Sequence, residues 1–291
     1  MTASRHATTA WLLLLPAAVL LAAFTHYPAL SSLWHSLFTT PRGSRPARFI
    51  GLDNYRALLE DPVFWQALTN NAWYALGTIL PSIAIAMAMA LLVNERMPGR
   101  AWARLAFFTP TMLPMIAVAN IWLFFYTPDY GLLDQVRGWW GASAHNWLGS
   151  NDTVLGAVMV VAVWKEAGFF MIFYLAALQQ MSPEWREAAR LEGCSRWAFF
   201  WRITFPLLMP TTLFVLVNAV INAFRLIDHI VIMTRGGPDN ASSLLLFYIY
   251  ETGFRYWDSS YAAALTAVLL FILALIAWLQ FRVLDRRIHY Q

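Results

Sequence analysis

The sequence predicts an all-α polytopic membrane protein with six transmembrane helices. The prediction rests on a scarcity of charge, on six long apolar runs, and on basic residues gathered between those runs. Of the 291 residues, 59% are hydrophobic and only 12% charged, and the mean hydropathy is +0.52. A soluble domain carries roughly twice that charged fraction, about 25%. The chain therefore suits a lipid solvent better than water.

A span needs about 20 apolar residues to cross a hydrocarbon core about 30 Å thick. The runs are 11–33, 71–93, 105–125, 153–176, 207–227 and 260–281, which together read as one transmembrane domain over 1–291. The first also has signal-peptide features, with Arg5 and His6 ahead of Trp11–Phe24. Apolarity resumes through Tyr27, Leu30 and Leu33 without a small-residue cleavage site, which favours a retained helix.

Six spans put both termini on one side. That side collects eleven arginines: Arg5, Arg96, Arg100, Arg104, Arg186, Arg190, Arg196, Arg202, Arg282, Arg286 and Arg287. The other collects seven: Arg42, Arg45, Arg48, Arg56, Arg137, Arg235 and Arg255. The richer side is expected to be cytoplasmic. The net charge of +4 thus reads as membrane topology, and no nucleic-acid partner is expected.

Between spans one and two, Asp53–Leu68 reads as an interfacial helix with Asp53 as its N-cap. Loop 128–152 carries Trp139, Trp140 and Trp147, aromatics suited to the membrane–water boundary. Cys194 is the single cysteine, so neither an intrachain disulfide nor a cysteine metal cluster can form. Lys165 is the single lysine and lies in the fourth run after Trp164. A phosphate-binding loop needs Gly-Lys-Ser or Gly-Lys-Thr, and none exists. No catalytic residues, metal ligands or bound cofactors are expected, and the chain reads as no enzyme.

The most informative stretch is 182–206. It reads Glu187-Ala188-Ala189, three residues, Gly193, nine residues, Ile203, one residue, Phe205-Pro206. Ser182 and Pro183 open a helix, and Glu184 and Glu187 lie near its positive end. Gly193 permits a sharp change of direction. Trp197, Phe199, Phe200 and Trp201 would anchor a second short helix at the interface. This stretch resembles the EAA loop of permease subunits of bacterial binding-protein-dependent ABC importers, with Phe205 where leucine is usual. Further stretches, including Trp164-Lys165, Gly236-Gly237-Pro238 and the closing Gln280–Gln291, resemble the sugar and glycerol-3-phosphate branch of that family.

The resemblance implies a type I importer (MetI-like) fold in the bacterial inner membrane. It implies that 182–206 is a cytoplasmic coupling loop docking on an ATPase subunit, through Glu187, Ala188, Ala189 and Gly193, with Arg190 and Arg196 as charge partners. Its implied partners are a second, homologous permease, two ABC ATPase subunits that hold ATP and Mg, and an extracytoplasmic solute-binding protein. The binding protein would touch loop 128–152 and the Gly236–Asp239 turn. The solute would be carbohydrate-like: a sugar, glycerol-3-phosphate or a glycerophosphodiester.

Polar groups inside spans mark a solute pathway or interhelical pairing. Asn218, Asn222, Arg225 and His229 recur at helical spacing along one expected face of span five. Lys165 and Phe169 lie near mid-depth in span four. Lys165, Phe169, Asn218, Asn222 and Arg225 are the pathway candidates. An ion-coupled secondary transporter is the alternative reading; it would need no coupling loop.

Overall fold

The computed structural model describes residues 2–95 and 98–284. In chain order the helices are α1 Thr2–Leu21, α2 Tyr27–His35, α3 Asp53–Glu60, α4 Pro62–Asn94, α5 Arg100–Met112, α6 Met115–Tyr126 and α7 Leu132–Gly138. There follow α8 Val154–Gln180, α9 Pro183–Leu191, α10 Arg196–Phe199, α11 Phe205–Arg225, α12 Asp228–Met233, α13 Leu245–Tyr250 and α14 Ser259–Leu284. Among the described residues there is no sheet, only two isolated bridges in the first long loop. Five helical stretches are long and apolar enough to cross a membrane, and six if the bent pair α5–α6 counts as one. The protein is an all-α polytopic membrane protein.

Two single π turns join helical segments and a third ends one, and proline accounts for the two that join. Pro28 follows the Ala22–His26 turn and Pro206 follows Phe200–Thr204. A proline cannot donate to the carbonyl four residues back, so the register widens rather than breaks. The third π turn, Glu251–Arg255, has no proline after it.

By packing, the described residues fall into two compact units: 2–62 with 249–272, and 63–248 with 273–284. In the first, the loop after α2 is tied down by side chains. Asn54 donates to the carbonyls of Ser36 and Phe38 at 2.7 and 3.0 Å. Thr40 donates to Asp258 and accepts from the Ser260 N–H. Tyr261 donates to Asp61 at 2.7 Å. Asp53 is the first helical residue of α3, not its N-cap; that place belongs to Leu52, which offers no side-chain bond. The expected helix Asp53–Leu68 is also cut at Asp61, whose extended backbone ends α3 before α4 starts.

In the second unit, the core gathers α4, α8 and α11 around Ala86, Ala90, Phe170, Met171, Tyr174, Leu208 and Val215. Gly168 brings α5 against α8: a β-carbon there would overlap the Phe107 carbonyl oxygen. The polar start of α4 holds the loop before α13. Asn70 donates to the carbonyls of Asn240 and Ser243, and buried Asn71 accepts the Leu245 N–H at 3.2 Å.

The expected span 105–125 is not one straight helix. The chain bends by 104° between α5 and α6. Pro114 lacks the N–H that would continue the ladder and drives Leu113 into extended backbone (φ −82°, ψ 137°). Hydropathy is blind to this break, because an apolar run reads the same whether straight or folded.

Candidate functional site

Three local devices build the elbow between α8 and α11. The Ser182 side chain accepts the Glu184 N–H at 3.3 Å, with Pro183 in the first turn. This satisfies one of the free donors of a helix start. At the other end of α9, Gly193 takes φ +70°. The Cys194 N–H then reaches the Ala189 carbonyl at 2.9 Å, and the Gly193 N–H reaches that of Arg190 at 3.1 Å. These paired bonds form a Schellman stop with glycine at its left-handed position. Ser195 reopens the chain into α10 by accepting the Ala198 N–H at 3.2 Å.

Glu187, Ala188, Arg190, Gly193 and Arg196 are exposed on this elbow. Ala189 is not. It is 8% exposed and lines a cleft shared with α4. Its small side chain allows close packing within this chain. Leu191, which the sequence reading passed over, is 90% exposed at the tip. An exposed leucine beside a helix stop had no periodic pattern to announce it.

The polar groups of the spans divide into two sets. Lys165 turns toward the α5–α6 bend, where its ammonium donates to the carbonyls of Pro110 (3.3 Å), Thr111 (3.4 Å) and Leu113. The bend strands these carbonyls without ladder partners, and the cation supplies the missing donors. The sequence left Lys165 between the solute pathway and interhelical pairing, and a backbone partner leaves no mark in it.

Beside it on the helix, α8 shares a second face with α11. Phe169 is 40% exposed and stacks edge-on to Phe173 with centroids 5.2 Å apart. Phe173 meets Phe214 of α11 at 4.9 Å. Asn222 hydrogen-bonds the Glu166 side chain, while the Asn218 amide returns to the Phe214 carbonyl at 2.7 Å. Arg225 ends α11 exposed. The face is thus Glu166, Phe169 and Phe173 on one helix, and Phe214, Asn218, Asn222 and Arg225 on the other. Glu166, Phe173 and Phe214 were legible as members only through helical spacing.

His229 leaves this face, contrary to expectation. The helix ends at Arg225, Leu226 turns extended (ψ 108°), and α12 starts anew. His229 is fully buried instead, with Nε2 2.9 Å from the Tyr74 hydroxyl.

At the other end of the unit, loop 128–152 folds around Asp134, which is 6% exposed. Its carboxylate accepts the N–H groups of Asp129 (3.1 Å) and His145 (3.0 Å) and the indole N–H of Trp147 (3.2 Å). Burial pushes this carboxyl up, but the three donors and nearby Arg137 outweigh it and hold it below its ordinary value. Asn151 donates to Asp239 at 3.2 Å, joining this loop to the Gly236–Asp239 turn. Among the described residues no group of three or more His, Cys, Asp or Glu could hold a metal.

A chain of long apolar helices, interrupted by a locally stopped polar elbow, belongs to the class of polytopic membrane transport subunits. Residues 63–290 match the binding-protein-dependent transport system inner membrane component, and the chain belongs to that family. It is 32% identical to the sulfoquinovosyl glycerol transport system permease protein of Agrobacterium fabrum, over 91% of this chain and 86% of that one. It is 30% identical to the sn-glycerol-3-phosphate transport system permease protein of the same organism, over 96% of each. Its fold is similar to a chain of a bacterial ABC transporter involved in the import of the acidic polysaccharide alginate. The TM-score is 0.86 at 23% identity, covering 98% of this chain and 99% of that one. By that membership the protein is a multi-pass permease subunit of a binding-protein-dependent ABC importer and no enzyme. Ion-coupled secondary transport is set aside by that membership.

Proposed function

We propose that this permease forms half of the translocation pathway for a carbohydrate-like solute, driven by ATPase subunits that grip its elbow. The observation that carries the proposal is the elbow itself. It is a rigid, capped protrusion with Glu187, Ala188, Arg190 and Arg196 exposed around a bare Leu191. The caps fix the backbone of this tip, so a docking partner loses little entropy in ordering it. Two ATPase subunits holding ATP and Mg would dock there, on the cytoplasmic side with both termini. A second, homologous permease would supply the other half of the pathway. The binding protein would sit on loop 128–152 and the Gly236–Asp239 turn.

The solute path follows the face shared by α8 and α11. Asn218 and Asn222 supply planar hydrogen-bonding groups, Phe169 an apolar ring, and Arg225 a cation able to grip an anionic group. Lys165, committed to the bend, acts there as a positioning residue. Relatives named for a sulfoquinovosyl glycerol and for a glycerol phosphate support a hydroxylated solute, with or without an acidic group.

The test is uptake by the complete importer in liposomes. The double variant Asn222→Ala/Arg225→Ala should lose about tenfold in uptake, the worth of one or two hydrogen bonds. Assembly and basal ATP hydrolysis should persist. Wild-type uptake in that variant would remove the pathway from this face.

A further inference from the structure

Behind the elbow lie two cavities that run into one another. The first, of about 510 Å³, is lined chiefly by carbon from Ala84, Met87, Ala88 and Leu91 of α4 and from Phe199 and Phe200. The second, of about 610 Å³, is polar, with Asn94, Gln179 and Ser182 on its wall. Leu91, Glu95, Arg186, Arg190 and Arg196 line both. An apolar chamber therefore opens into a polar one through a seam of three guanidinium groups.

The charges at that seam are unbalanced. Three arginines outnumber Glu95 and the Glu187 of the polar chamber. The ion pairs among described residues lie elsewhere, at Arg42–Asp258, Arg56–Asp53 and Arg255–Glu251. The apolar chamber's α4 wall runs from Ala84 to Leu91, about 10 Å of helix, room for part of one acyl chain within a leaflet of a hydrocarbon core about 30 Å thick.

We propose that this cleft binds an anionic diacyl phospholipid. Its phosphate sits among Arg186, Arg190 and Arg196, and one acyl chain lies along Ala84, Ala88 and Leu91. Each half of the cleft excludes a simpler occupant. A free anion has no use for a chamber of alanine, methionine and phenylalanine. An apolar helix from another chain has no use for three unpaired guanidiniums. Basic pockets beside spanning helices hold acidic headgroups for the same reason. The lipid would brace the inner side of the elbow, where Ala189 faces. Arg190 and Arg196 are shared with the proposed ATPase contact, but Arg186 and the apolar chamber belong to the lipid reading alone, so variants at Arg186 and Ala84 test it apart from ATPase docking.

The test takes the complete importer from vesicles containing phosphatidylglycerol and phosphatidylcholine in equal amounts and counts retained lipids by native mass spectrometry. Phosphatidylglycerol should be retained preferentially. Arg186→Gln should reduce that retention about fivefold, the worth of one arginine near an acidic surface, while Arg186→Lys keeps most of it. Ala84→Trp should expel the acyl chain with every arginine intact. Equal retention of the two lipids, or unchanged retention in both Arg186→Gln and Ala84→Trp, would overturn the proposal. So would displacement of the lipid by inorganic phosphate alone, or a disulfide from Ala88→Cys to the second permease showing a protein helix in the chamber.

Discussion

Lys165 shows how one buried charge can serve structure. Three carbonyls stranded by the α5–α6 bend converge on its ammonium, and no other lysine exists in the chain. Lys165→Met should cost about 2 kcal/mol, the value of hydrogen bonds to a charged group. The readout is a lower thermal midpoint of the purified subunit, with Lys165→Arg intermediate; an unchanged midpoint in Lys165→Met would show that the bend stands without it. Asp134 plays the corresponding part in loop 128–152. Its folded pKa lies below the ordinary 3.8, so the carboxylate stabilises the loop at every pH above that value. The contribution is lost only as pH falls through the folded pKa. Hydrogen exchange across residues 139–147, corrected for intrinsic rates, should stay flat from about pH 8 to about pH 5 and rise below about pH 4. Asp134→Asn should show the faster exchange already at neutral pH. A pH-independent profile together with a silent Asp134→Asn would contradict this account.

At the scale of elements, the elbow was the part most legible in the sequence, because each of its signals is local. Ser182-Pro183 announced a helix start and Gly193 a change of direction, and both operate through their own backbone neighbours. What stayed hidden depended on distant partners. The bend at Pro114 lay inside an unbroken apolar run, and its Lys165 donor is 52 residues from Leu113. The extended turn at Leu226 spoiled the four-residue face by turning His229 toward Tyr74, 155 positions away. Helical spacing assumes an unbroken helix, and neither break followed from periodicity. Gly193 offers a clean test of the elbow. A β-carbon there meets nothing within 4 Å, so substitution costs only the left-handed backbone, about 1–2 kcal/mol for an ordinary residue. Asparagine tolerates that region better than alanine, and valine worst. ATP-driven uptake should fall in the order Gly193, Gly193→Asn, Gly193→Ala, Gly193→Val. A Gly193→Val importer with full uptake would mean that the turn is not needed for transport.

For the whole molecule, composition and six apolar runs were enough to reach the membrane fold, because hydrocarbon leaves the backbone few choices. They could not tell which apolar surfaces the chain covers by itself. Trp11–His35 has none of its most apolar window buried within the chain, so lipid or partners must cover it. Leu191 at the elbow tip is likewise left uncovered by this chain, and lipid and protein as its neighbours predict different chemistry. The most direct measurement places a cysteine at Leu191 in a Cys194→Ser background and adds a short bifunctional crosslinker to the intact importer. A covalent product with an ATPase subunit, changing in yield between ATP-bound and nucleotide-free states, is the predicted result. If Leu191→Cys links only to lipid analogues or to permease chains in every nucleotide state, the elbow is not the joint through which ATP drives this transporter.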